Sequence, residues 1–197
     1  MSFRLEHKLF IKKEHITNFK KYLLNNRASS IFEKRNIHSL YFENKKNEMY
    51  TDSMEGSVPR KKIRIRYYPN SSSNKIFFEK KISGVEGRFK KRKEINKIEF
   101  ENLKSRGIND TQYGTCYPVI FVTYEREYYK IDDVRITIDN NISYQQYRKK
   151  IAFKDPHLIV ELKSSVTKDL DELFKLFPFQ NIRFSKYCNG YKIIFNA

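Results

Sequence analysis

Cationic side chains recur at every second position in several short stretches of this sequence. Lys62, Arg64 and Arg66 alternate with Ile63 and Ile65, and Arg135, Thr137 and Asp139 alternate with Val134, Ile136 and Ile138. Glu161 and Lys163 are set among Leu158, Val160 and Leu162. Arg4, Glu6 and Lys8 keep the same rhythm, as do Glu79 with Lys81, Lys90 with Arg92, and Tyr124 with Arg126. Side chains two apart on an extended strand share a face, so seven strands would each carry charge on one side. Arg and Lys converging with few carboxylates repel one another unless a ligand neutralises them. A phosphate chain would do so: guanidinium binds two oxygens at once, and ammonium acts as a compact point charge. Glu6 and Glu161 fit poorly in a purely anion-binding wall. They suit a hard cation, Mg²⁺ or Mn²⁺, that bridges carboxylate and phosphate oxygens.

Two arrangements accommodate this pattern. In one, the charged faces are solvated, as in any half-exposed antiparallel sheet. In the other they turn inward and line a tunnel, while helices cover the apolar faces. The excess of one sign favours the second, because surface sheets usually intersperse both signs. The whole chain shares the bias, with 40 Lys+Arg against 23 Asp+Glu and a formal net charge of +17. A polyanionic partner follows from that excess.

The elements that must position these residues can be read from periodicity and turn signals. A strand is expected over 3–12 and a helix over 14–25, with Ile16, Phe19, Leu23 and Leu24 on one face. Strands are expected at 37–43, 47–52, 61–68, 75–82 and 87–95, the last two joined by a hairpin at Gly84 and Gly87. A short helix over 97–106 should stop at Gly107. Strands follow at 118–130 and 133–139 about an Asp132-Asp133 turn, and another at 157–163. A helix capped by Thr167 should run to Leu176, and a strand over 190–195 closes the chain. Short connections favour antiparallel order. The expected fold is α+β and mainly β: a closed antiparallel β-barrel with a few flanking helices, formed by residues 1–197 as one domain.

Other chemistries lack their signatures. There is no Walker loop, G-x-S-x-G or H-E-x-x-H pattern. The four His and two Cys lack zinc spacing, and no RNP, helix-turn-helix or zinc-finger pattern points to specific nucleic-acid binding. Cys116 and Cys188 read as buried thiols. No stretch is long and apolar enough to span a bilayer, and charge appears too early for a signal peptide. A cytoplasmic protein is expected.

The segments RLEHK (4–8), SLYFEN (39–44), KIRIR (62–66), FEKK (78–81), KKR (90–92), YER (124–126), RITID (135–139), ELKS (161–164) and FSKY (184–187) occur in an order that resembles the VTC domain. That is the polyphosphate polymerase domain of the triphosphate tunnel metalloenzymes. The resemblance covers almost the whole chain. It implies that Lys8, Arg64, Arg66, Lys81, Lys90, Arg126, Arg135 and Lys186 grip the phosphates of ATP and of a growing polyphosphate chain. Arg4, Lys62, Arg92, Tyr124, Lys163 and Ser185 would support substrate binding, with Tyr124 near the nucleotide. Glu161 would be the principal metal ligand and Glu6 a second, for Mn²⁺ or Mg²⁺. SLYFEN departs from the family pattern, which ends in Asp-Thr. A stand-alone domain of prokaryotic type is expected, with membrane association only through a partner. Triphosphate hydrolysis on the same fold and non-catalytic polyanion binding are the rival readings.

Overall fold

Alternation of charged and β-branched residues makes strands of about half of the described residues. The computed structural model describes residues 4–70, 74–165 and 182–196. Their ten strands form an antiparallel sheet with four α-helices, and they pack as two compact units, each drawing on three separate stretches.

The first unit comprises residues 1–35, 124–142 and 154–184. Strand β1 (Arg4–Lys12) pairs with β10 (His157–Ser165), and β10 pairs with β8 (Val134–Gln146). The register aligns Lys8 with Glu161 and Glu161 with Thr137. It likewise aligns Glu6 with Lys163 and Lys163 with Arg135. Strand β7 (Gly114–Ile131) runs into β8 through the expected Asp132-Asp133 turn, where Asp132 takes the left-handed conformation (φ 46°). The opposite face is apolar. Leu9, Ile11, Ile136, Ile138, Leu158, Val160 and Leu162 form one core with Phe19 and Leu23 of helix α1 (Ile16–Asn25). Leu24 was expected on that face but is 70% exposed. Phe19 and Leu23 are one helical turn apart, and the next residue rotates about 100° away.

The second unit comprises residues 36–123, 143–153 and 185–197. The C-terminal half of β2 (Ser29–Asn44) pairs with β3 (Arg60–Tyr67), then follow β4 (Ile76–Gly84) and β5 (Gly87–Ile95). The hairpin turns where expected, with Gly84 opposite Gly87 at φ 130°. Short strands β6 (Ile108–Asp110) and β9 (Ala152–Lys154) pair with β7 and β8. Leu40, Phe42, Ile63 and Ile65 form the core with Met49 of helix α2 (Glu48–Glu55). Phe100 and Leu103 of helix α3 (Lys97–Arg106) pack against it. Asn96 and Glu99 close a reciprocal capping box at the start of α3, and Gly107 ends it at φ 81°.

Two expected strands are helices. Residues 48–55 form α2 because the buried Glu43 carboxylate accepts from the backbone N–H of Met49 (3.1 Å) and Tyr50 (2.8 Å), capping the helix from a distance. Residues 186–195 form helix α4 (Lys186–Phe195), and Ser185 Oγ accepts from Cys188 N at its start. Its buried residues Tyr187, Cys188 and Tyr191 follow helical spacing. The expected 167–176 helix lies outside the described residues. No helix among the described residues is long and apolar enough to cross a membrane.

Helix α4 seats closely in its unit. A Cβ added at Gly190 would lie 2.5 Å from the ring of Tyr144, which is fully buried. Gly190→Ala should therefore cost about 1–3 kcal/mol through overpacking, read as a lowered denaturant midpoint at unchanged slope.

Candidate active site

In the second unit the strand register sorts the cations into rows. Lys62, Lys81 and Lys90 align across β3, β4 and β5, and beside them runs the row Tyr41, Arg64, Glu79 and Arg92. Glu79, 2% exposed, serves both rows. It accepts from Arg64 Nε at 2.7 Å, and it pairs with Lys90 at 2.5 Å and Arg92 at 3.4 Å. Burial alone would raise its pKa, but Arg64, Arg66 and Lys90 outweigh burial and hold it down at about 2. Arg66 Nε donates to Ser39 Oγ (3.0 Å), and the Arg92 guanidinium lies 3.5 Å over the ring of Phe77.

Tyr41 belongs to the same group. Its hydroxyl accepts from Arg64 (2.9 Å) and its ring stacks on Tyr187 (5.1 Å). Burial disfavours the phenolate, yet Arg64, Arg66 and Lys62 together bring the pKa down to about 8. Helix α4 closes on this cluster from its N-terminal turn. Ser185 Oγ accepts from Lys62 Nζ (2.8 Å), and Lys186 is the next residue. Tyr187 donates its hydroxyl to Glu43. Cys188 is a buried free thiol, as is Cys116.

In the first unit the charges form a second cluster. Arg126 grips Asp139, which has no exposed surface, through two hydrogen bonds (2.5 and 2.6 Å). The Arg126 guanidinium lies 5.3 Å from the Tyr124 ring centroid. Lys163 pairs with Glu161 (2.6 Å) and Glu6 (3.6 Å), and Lys8 pairs with Glu6 (3.3 Å) and donates to the Phe184 carbonyl (2.9 Å). Arg135 aligns with Lys163 on the same face. Glu161 is buried, which alone would raise its pKa. Arg126, Lys163 and Lys8 reverse this and hold the carboxyl well below the usual range. The Arg4 side chain lies outside the described residues.

The expected metal ligands, Glu6 and Glu161, lie in this second cluster. They sit on paired neighbouring strands, two residues off direct alignment, and share Lys163. The hydroxyl of Thr137, aligned with Glu161, has no hydrogen-bond partner among the described residues. No group of three or more His, Cys, Asp or Glu converges among those residues. Glu161, its carboxyl held ionised beside an unsatisfied hydroxyl, offers oxygens of the kind a hard cation takes.

Thus Lys62, Arg64, Arg66, Lys81, Lys90, Arg92, Ser185 and Lys186 belong to one unit, and Glu6, Lys8, Tyr124, Arg126, Arg135, Glu161 and Lys163 to the other. Sequence reasoning placed Glu79 and Asp139 on the charged faces but gave them no role. It also missed Tyr41, inside the SLYFEN motif, and Glu43.

The chain belongs to the VTC domain family, whose model matches residues 3–195. Its fold is that of the triphosphate tunnel proteins. A candidate adenylyl cyclase from Hippeastrum with a dominant triphosphatase activity is 13% identical, with 96% of each chain covered and a TM-score of 0.63. A candidate adenylate cyclase from Bacillus halodurans is 14% identical over 93% of this chain and 94% of that one, with a TM-score of 0.62. A conserved hypothetical protein from Pyrococcus furiosus is 18% identical over 94% and 99% of the two chains, with a TM-score of 0.58. No functionally curated protein matches the sequence.

Two measurements follow. The folded-state pKa of Glu79 lies below its ordinary value of 4.5, so its stabilisation is complete above that pH and is lost as the pH falls towards 2. Glu79→Gln should remove about 3 kcal/mol of acid-dependent stability between those limits, seen as a flattened plot of unfolding free energy against pH. Ultraviolet difference absorbance should show one phenol ionising near pH 8, and Tyr41→Phe should abolish that step.

Proposed function

We propose that this protein is a metal-dependent polyphosphate polymerase. It transfers the γ-phosphoryl group of ATP to the end of a polyphosphate chain inside a closed, cation-lined barrel. The observation that carries this reading is the Lys62–Lys81–Lys90 row beside Arg64, Glu79 and Arg92, in a chain of the VTC family. Three aligned lysines beside two arginines suit a substrate that brings repeated negative charge.

The terminal phosphate oxygen of the chain attacks the γ-phosphorus. The bond from that phosphorus to the bridging oxygen breaks, and ADP leaves. Such transfer asks the protein for position and charge neutralisation more than for covalent chemistry. Glu79 fixes the directions of Arg64, Lys90 and Arg92, as Asp139 fixes Arg126, so the donors are set before substrate arrives. Lys8, Arg66, Lys81, Arg135 and Lys186 add charge for the phosphates, and Tyr124 lies beside the nucleotide. Glu161, with Glu6, would hold Mg²⁺ or Mn²⁺, which when bound neutralises charge on the leaving diphosphate. The site of action is the cytoplasm.

The test is incubation with ATP and Mn²⁺ or Mg²⁺, scored for ADP and for phosphate chains on a stained gel. Both products should appear, and both should fall about 100-fold or more in Arg64→Ala and in Glu161→Ala. Free phosphate without chains would replace this reading with triphosphate hydrolysis. Absence of turnover with tight polyphosphate binding would replace it with a binding module. Turnover that survives in Glu161→Ala would overturn the metal assignment.

A further inference from the structure

The sequence Arg148-Lys149-Lys150-Ile151-Ala152-Phe153-Lys154 is exposed at all seven positions. It leaves β8 through a turn in which Lys149 N donates to the Gln146 carbonyl (3.0 Å) and Arg148 takes the left-handed conformation (φ 63°). It ends in β9. Four of the seven residues are cations and none is acidic. The next residue, Asp155, is 3% exposed and accepts from the backbone of His157.

The apolar members of this segment are turned out as well. Ile151 is 72% exposed and Phe153 46%. Tyr117, 40% exposed, lies two residues before Val119, whose carbonyl accepts from Tyr147 N (2.8 Å) at the start of the turn. A solvated loop gains nothing from displaying Ile and Phe, whereas a surface that covers both would. Polyphosphate and nucleic-acid backbones match the cations but offer no apolar layer at that depth. An anionic bilayer offers both: headgroups for Arg148, Lys149, Lys150 and Lys154, and acyl chains beneath them for Ile151 and Phe153. Tyrosine is favoured at such an interface, and lysine stems can lie along the apolar layer with the ammonium in water.

We infer that residues 148–154 are a membrane-contact loop that binds anionic lipid directly, without an intermediary protein. This assignment stands whether or not the protein polymerises phosphate.

Cosedimentation with vesicles tests it. The probes are phosphatidylcholine vesicles and vesicles of phosphatidylcholine with phosphatidylserine in about a 3:1 ratio. The protein should sediment with the mixed vesicles and remain in solution with the neutral ones. Ile151→Ser/Phe153→Ser and Lys149→Glu/Lys150→Glu should each weaken binding about tenfold or more. The charge variant should leave the thermal midpoint unchanged, because Lys149 and Lys150 are exposed, and both variants should keep a cooperative unfolding transition. Failure to sediment with mixed vesicles would overturn the inference. So would a charge variant that releases the protein while the apolar variant binds as before, which would make the loop a site for nucleic acid or another polyanion. Undiminished binding by both variants would move the contact elsewhere on the basic surface.

Discussion

Like charges brought onto one face of a sheet must be given counter-charges. Glu79 and Asp139 meet that constraint. Each is buried, and each is held ionised or gripped by the cations around it. A buried carboxylate costs several kcal/mol to desolvate, which is offset only where geometry is close and several donors converge. Glu79 has Arg64, Lys90 and Arg92, and Asp139 has both arms of Arg126. The remaining cations are then supported without being cancelled.

The opposite faces explain how such a polar surface is built at all. Isoleucine, leucine and valine behind the charges form two cores, one closed by Phe19 and Leu23 of α1 and the other by Met49 of α2 with support from α3. The hydrophobic effect at the back holds in place an array of charges that would otherwise push the strands apart. Glu43 links this scaffold to the site. It caps α2 through two backbone N–H groups and accepts the hydroxyl of Tyr187, next to Lys186.

The charged faces were legible because period-two alternation is a local property. Lys62, Arg64 and Arg66 remain on one side whatever the neighbours do, and Ile63 and Ile65 go to the core as the alternation requires. Turns written in Gly84, Gly87, Asp132 and Gly107 were legible for the same reason. What could not be read depends on partners far away in sequence. Residues 48–55 look extended until Glu43 caps them. Residues 190–195 have a strand-like composition, and helical burial at Tyr187 and Tyr191 overrides it. The weight carried by Glu79 arises from register across three strands, which no single segment encodes.

The pairing of Glu43 with Tyr187 spans 144 positions, and that of Lys62 with Ser185 spans 123. Both close the same cationic cluster. During synthesis the strands that carry Glu43 and Lys62 therefore emerge long before the helix that completes them. Until then the nascent chain holds a lysine and a carboxylate waiting for their partners. Contacts of such separation slow folding, because loop closure must precede their reward. The cationic cluster is thus assembled late, after most of the chain that supports it has left the ribosome.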